Sequence, residues 1–149
     1  MLDRYEEGLR IVRMVRAPLA DVWDAWVSPG RLVSWWGPPG VTVVGVAGEL
    51  RVGGRYVIAM LRDGEEVELE WRFVEIRLLQ RLVFEWRFTR GENEPRERSL
   101  VTIAFRGSSR GTEVTVTHDG IVSPGARDSH ADGWLRCLDG LETILTHIG

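Results

Sequence analysis

Acid–base chemistry in this 149-residue chain would rest on histidine, because all 19 basic residues are arginine and Cys137 is the one cysteine. Without a lysine there is no Schiff base and no amine nucleophile. The histidines are His118, His130 and His147. His118 closes the run Val114-Thr-Val-Thr-His118 and shares the parity of Val114 and Val116, which turns it toward the apolar side of a strand. His130 stands one helical turn before Trp134, on the same side. If the two rings meet in a pocket, they could bind a polar ligand group or act as acid and base. The plainer reading has His118 bonded to a neighbouring backbone group or acid, and His130 serving near a helix start. A two-histidine metal site would lack a third ligand from the sheet, so neither a metal nor any other cofactor is expected.

The remaining chemistry-bearing groups read as structural. Cys137 has no cationic or metal context in the sequence and is expected to be a buried, inert thiol. Glu66, Glu68 and Glu70 alternate regularly, which makes them a solvated strand face rather than a carboxylate pair in a cleft. Gly53-Gly54 and Gly37-Pro-Pro-Gly40 lack the strand-to-helix setting of a phosphate loop, and no nucleophile elbow is present. No catalytic set emerges. Arg13 shares its parity row with Leu9, Ile11 and Val15; facing inward, it would need a carboxylate from a ligand or from the chain itself. A surface position is equally open to it.

Aromatic residues carry the stronger signal. Of the seven tryptophans, Trp71 and Trp86 fall on the apolar faces of neighbouring strands and Trp134 on the apolar face of the last helix. Wide rings there either wall a ligand gap or fill the core, and both can hold at once. Trp36, after Trp35 at a helix end, either gates the mouth of such a gap or anchors the turn. Tyr56 and the histidine pair would add the few polar contacts that orient a ligand. The expected lining is therefore Trp36, Tyr56, Trp71, Trp86, His118, His130 and Trp134.

The elements that must position these residues follow from periodicity. Gly8 to Arg16 is a first strand, stopped by Ala17-Pro18. Pro18 suits a first helical position, and Leu19, Val22, Trp23 and Trp26 follow at helical spacing. Ser28-Pro29-Gly30 breaks that helix, and Ser28 can cap a second short one from Arg31 to Trp35, with Pro29 at its first position. Trp36 to Gly40 is a rigid turn. The period then falls to two. Strands are expected at Val41–Val46, Gly54–Leu61, around Val67 to Phe73, around Leu82 to Phe88, and at Leu100–Phe105 and Thr112–Thr117. Asp63-Gly64 marks a hairpin, and the polar run Arg90 to Arg98 interrupts the sheet. Ala126 to Ile148 spaces Trp134, Leu138, Leu141, Ile144, Leu145 and Ile148 as one apolar helix face. An antiparallel sheet with one dry face and one long apolar helix has a natural solution: the helix lies on that face.

Composition sets the outer bounds. The length fits one domain spanning 1–149, and hydrophobic residues at 44% with charged residues at 28% exclude bulk disorder. A formal net charge of −3 gives no pull toward nucleic acid or an anionic membrane. The first residues carry acids without an apolar core, and no apolar run is long enough to span a bilayer, so a soluble cytoplasmic protein is expected. A homodimer is compatible with the sequence, but no feature specifies it.

Several of these pieces also resemble a known family. Arg13-Met-Val-Arg-Ala17-Pro18, Val22-Trp23 and Trp35-Trp36-Gly37-Pro38 resemble the N-terminal signature of the family related to the C-terminal domain of the Hsp90 ATPase activator. Gly53-Gly54, Gly111-Thr112 leading into Val114 to His118, and His130 with Gly133-Trp134 agree in order across nearly the whole chain. The resemblance implies an α+β helix-grip fold of the START/Bet v 1-like (SRPBCC) superfamily. In it a curved antiparallel sheet of about seven strands wraps a long C-terminal helix, with two short helices after the first strand. It implies a cavity between sheet and helix and no fixed catalytic residues. Binding or carriage of a small apolar molecule is the leading expectation. The alternatives are a pocket enzyme of cyclase, lyase or hydrolase type using His118 and His130, or a chaperone-interaction module.

Overall fold

A computed structural model of the chain describes residues 8–37, 40–91, 94, 96–121 and 124–146. Pro38 and Pro39 of the expected rigid turn, His147, and Ile148 at the end of the expected last helix lie outside the described residues.

The period-two segments form strands β1 (Leu9–Val15), β2 (Val41–Gly48), β3 (Arg55–Arg62), β4 (Glu65–Arg77), β5 (Arg81–Arg90), β6 (Ser99–Ser108) and β7 (Gly111–Asp119). The helical segments form α1 (Leu19–Val27), α2 (Pro29–Trp35) and α3 (Pro124–Thr146). All strands join one antiparallel sheet in the order β1-β7-β6-β5-β4-β3-β2. The first strand pairs with the last, Leu9 opposite His118 and Val15 opposite Thr112. α1 and α2 therefore carry the chain from one sheet edge to the other. Register shifts in β2 at Val43/Gly45 and in β4 at Glu68/Leu69 and Phe73/Glu75 add the bend that lets the sheet curl around α3. Asp63 and Gly64 have φ of 51° and 84°, the pair of positive values a two-residue hairpin turn needs.

Two details at the helix starts differ from expectation. Pro18 precedes α1 in an extended conformation (ψ 149°) rather than opening it. Ser28 does occupy the position before α2, with Pro29 first in the helix, but its hydroxyl makes no capping bond.

The sheet buries one face. Val67, Leu69, Trp71 and Phe73 of β4 and Leu82, Phe84, Trp86 and Phe88 of β5 point into the core, where α3 adds Trp134, Leu138, Leu141 and Leu145. Arg13 of β1 also faces inward. Its guanidinium lies 2.8 Å from Asp139 and 2.8 Å from Glu142 of α3, so internal carboxylates meet the requirement an inward arginine imposes. α3 approaches α2 so closely at Gly140 that a Cβ there would stand 2.8 Å from the Trp35 carbonyl oxygen. On the outer face the row of glutamates is not uniformly solvated. Glu70 is 5% exposed, held by Arg55 at 2.8 Å and Arg87 at 3.6 Å, because long arginine side chains from the flanking strands fold over it.

Candidate functional site

Sheet and α3 diverge at one end and enclose a hollow of about 360 Å³. Its α3 wall is Ser129, His130, Gly133, Trp134 and Cys137, residues three or four apart that share one helix face. The sheet wall is Met60 and Arg62 of β3, Leu69 of β4, and Trp86 and Phe88 of β5. Trp36 and Val41 close the side nearest α2, and Glu94, from the β5–β6 connection, meets Arg62 in an ion pair at the lip.

Rings make up the floor. Trp36, Trp86 and Trp134 are 7%, 8% and 2% exposed, and their centroids form a triangle with sides of 5.4, 5.5 and 5.9 Å. Behind them Trp71 lies edge-on to Trp36 at 5.2 Å and stacks on Phe84 at 4.3 Å. Trp26 follows, 6.4 Å from Trp71 and 6.2 Å from Trp134. The centre of the sheet–helix space is thus filled by indoles, and the hollow is displaced toward one end. Three of these buried indole N–H groups, on Trp26, Trp71 and Trp86, have no hydrogen-bond partner among the described residues. They sit among ring faces, which are weak acceptors.

Four of the seven residues expected to line a pocket do line the hollow: Trp36, Trp86, His130 and Trp134. The other three stand outside it. Trp71 is part of the plug. Tyr56, buried as well, donates its hydroxyl to the Val27 carbonyl and pins the end of α1 to β3; burial raises its pKa. His118 lies one layer beneath the floor, fully buried.

His118 and His130 do meet, with ring centroids 4.7 Å apart. The hydrogen bonds of His118, however, go neither to backbone nor to an acid. Trp134 Nε1–H donates to its Nδ1 at 3.1 Å, and Ser99 Oγ lies 2.7 Å from its Nε2. An indole can only donate, so Nδ1 is the bare nitrogen and Nε2 carries the proton, donated to Ser99. Burial first, and then the neighbouring His130, push the His118 pKa down to about 3. Both nitrogens are committed and the ring is neutral, which leaves no lone pair for a substrate proton. As an acid–base residue His118 is ruled out by geometry. Its work is to orient Trp134, one of the walls.

His130 lines the hollow itself, its ring makes no hydrogen bond with any described residue, and burial lowers its pKa. Cys137 is buried against the same wall, and burial raises its pKa to about 12 despite a bond with the Gly37 backbone. It is an unreactive thiol. Among the described residues no group of three His, Cys, Asp or Glu side chains could hold a metal ion.

Some wall residues were readable in the sequence and went unnamed. Phe88 has the parity of Trp86, and Gly133 lies three residues from His130 and four from Cys137. Arg62 ends the inward row Tyr56, Ile58, Met60, so an arginine on an apolar parity was the available signal. Glu94 carried none, since it lies in a polar connection.

A family model described as Activator of Hsp90 ATPase homolog 1-like protein matches residues 16–146. The chain belongs to this family. Solved structures agree on the helix-grip fold. A Chromobacterium violaceum protein superimposes with a TM-score of 0.82 at 24% identity, covering 93% of this chain and 97% of its own. A Silicibacter pomeroyi protein of the same family gives 0.80 at 22%, covering 95% and 99%. A Rhizobium leguminosarum protein gives 0.79 at 25%, covering 99% of each chain. No curated protein matches. Among the described residues no helix of this family member is long and apolar enough to cross a membrane.

Proposed function

We propose that this member of the activator-homologue family binds and carries a small apolar molecule in the hollow between the sheet and α3. The observation that carries the reading is the hollow: about 360 Å³, walled by Trp36, Trp86, Phe88 and Trp134, with its polar groups confined to a few points. That volume falls at the lower end of the roughly 300–1,000 Å³ that ligand pockets span, which fits a guest of one or two rings. The neutral His118 favours binding over turnover, because it lies beneath the floor with both ring nitrogens already bonded and offers the hollow no proton transfer. The family description carries the name of a chaperone activator, but docking on a chaperone requires no interior space, and the hollow favours a guest.

The test uses N-phenyl-1-naphthylamine, an uncharged dye that brightens in apolar surroundings. Saturable uptake of one dye per chain is expected, with quenching of tryptophan emission by energy transfer from the ring triangle. Trp86→Ala and Trp134→Ala should each weaken it. If dye uptake is absent, or both variants bind it as the parent does, the hollow is not a binding site.

A further inference from the structure

Two charges stand in the wall of an otherwise apolar hollow. Arg62 ends the inward row of β3, and Glu94 reaches it from the β5–β6 connection, bonded through Oε2 to Arg62 Nη1. The Glu94 side chain is 11% exposed against 40% for Arg62, so the carboxylate lies on the inner side of the lip. A guanidinium carries five N–H donors and a carboxylate two oxygens, and the described contacts of this pair use one of each. Among the described residues, the remaining donors of Arg62 and the second oxygen of Glu94 have no side-chain partner of their own, and they stand side by side where the apolar wall ends. The other titratable groups in the wall, His130 and Cys137, add no charge at neutral pH.

We infer that the guest is an uncharged one- or two-ring molecule bearing an adjacent donor and acceptor, as in a carboxamide, and that this head docks on the Arg62–Glu94 pair. This rests on the binding reading above and specifies its ligand class. An anionic head on the spare donors of Arg62 meets the like charge of the largely buried Glu94 carboxylate beside it. A cationic head drawn to Glu94 meets the like charge of Arg62 beside it. A neutral head with its carbonyl on the arginine and its N–H on the glutamate leaves the pair intact and satisfies both members. The rings then lie against Trp36, Trp86 and Phe88.

Isothermal titration of the whole chain with three probes of nearly equal size tests this: 2-naphthamide, 2-naphthoate and 2-methylnaphthalene. The amide should bind at least about tenfold more tightly than either of the others, the gain expected of one well-satisfied polar head. The Arg62→Met/Glu94→Leu double variant should abolish the amide's advantage over the hydrocarbon, and its binding of the hydrocarbon shows that the hollow is intact. Equal binding of amide and hydrocarbon in the parent overturns the head-group assignment and leaves the hollow as a binding site. Naphthoate binding as tightly as the amide also overturns it, in favour of an acid-binding lip. No binding of any probe overturns the assignment together with the binding reading.

Discussion

Gly133 offers the sharpest test of whether the hollow exists to be filled. It sits inside α3, in the wall, and a Cβ added there would meet no heavy atom within 4 Å. A glycine in a helix interior costs about 0.8–1 kcal/mol relative to alanine, and leucine recovers most of that. Leucine also brings four carbons, each worth about 0.8 kcal/mol when fully buried. Because the hollow opens at its lip, roughly half of that burial is realised, and ordering the side chain costs about 0.5–1 kcal/mol. Gly133→Leu should therefore stabilise the fold by about 1–2 kcal/mol, or about 3–6 °C in Tm for a domain of this size. The same leucine occupies space the guest needs, so affinity for N-phenyl-1-naphthylamine should fall at least about tenfold. Gly133→Ala, with one carbon, should gain about 0.8–1 kcal/mol and bind the dye almost normally. Urea unfolding followed by tryptophan emission gives the stabilities, and dye titration gives the affinities. A Gly133→Leu variant destabilised by more than about 1 kcal/mol would show that the space is absent. A stabilised variant that binds dye like the parent would show that the space is not where guests go.

Other consequences are independent of any guest. His118 is neutral in the fold with its pKa near 3, whereas in the unfolded chain it returns to about 6.5, so its contribution to stability is complete above that value and is lost as pH falls toward 3. Between about pH 6.5 and 5, where carboxylates stay ionised, urea-derived stability should drop by roughly 1 kcal/mol per pH unit from His118 alone, steepening toward about 1.4 at the acid end, and a folded His118→Gln variant should lack that component. Cys137, with its pKa near 12, should react with a disulfide reagent at pH 8 on the order of a thousandfold more slowly than an exposed thiol, reaching the ordinary rate in urea. Arg13→Met removes the half-exposed tie between β1 and α3 and should cost about 1 kcal/mol by chemical denaturation; a cost that does not shrink in high salt would argue for lost packing instead.

The fold was legible because the period changes are clean. Val67, Leu69, Trp71, Phe73 and Leu82, Phe84, Trp86, Phe88 are strict alternations, and the apolar face of α3 repeats at helical spacing, so two layers follow almost without choice. Seven strands, two short helices and a final long one stand in the expected order. The site was legible only where a residue's face decides its place. His118 was correctly turned inward by parity, but parity says nothing of depth, and it came to rest beneath the floor rather than in it. Tyr56 and Trp71 share that history. Both face the core, yet Tyr56 is drawn to the end of α1 by the way that helix crosses the sheet, and Trp71 stacks on Phe84 of the neighbouring strand beneath Trp26 and Trp36. Nor could alternation separate Glu70 from Glu66 and Glu68, since what buries it is the reach of Arg55 and Arg87 from other strands.

The position of the hollow follows from the crossing of the two short helices. β1 and β2 lie at opposite edges of the sheet, so the chain between them must traverse the apolar face that α3 also claims. The traverse brings Trp23, Trp26, Trp35 and Trp36 against that face, where Trp26 and Trp36 meet Trp71 and Trp134. Four indoles delivered by one connection exceed what the middle of a single layer needs, and they fill it completely. What stays empty is the end the traverse does not cover, bounded by the far parts of β3 and β5 and by the first half of α3. There the α3 face carries Ser129, His130 and Gly133 in place of the leucines that follow. Ser129, His130 and Gly133 on this face of α3, the leucines that follow, and the aromatic plug between them leave the hollow open in the fold. Under the proposed binding role, a guest of the right size would meet walls already in place, and the ordering cost of building a pocket around it would not arise.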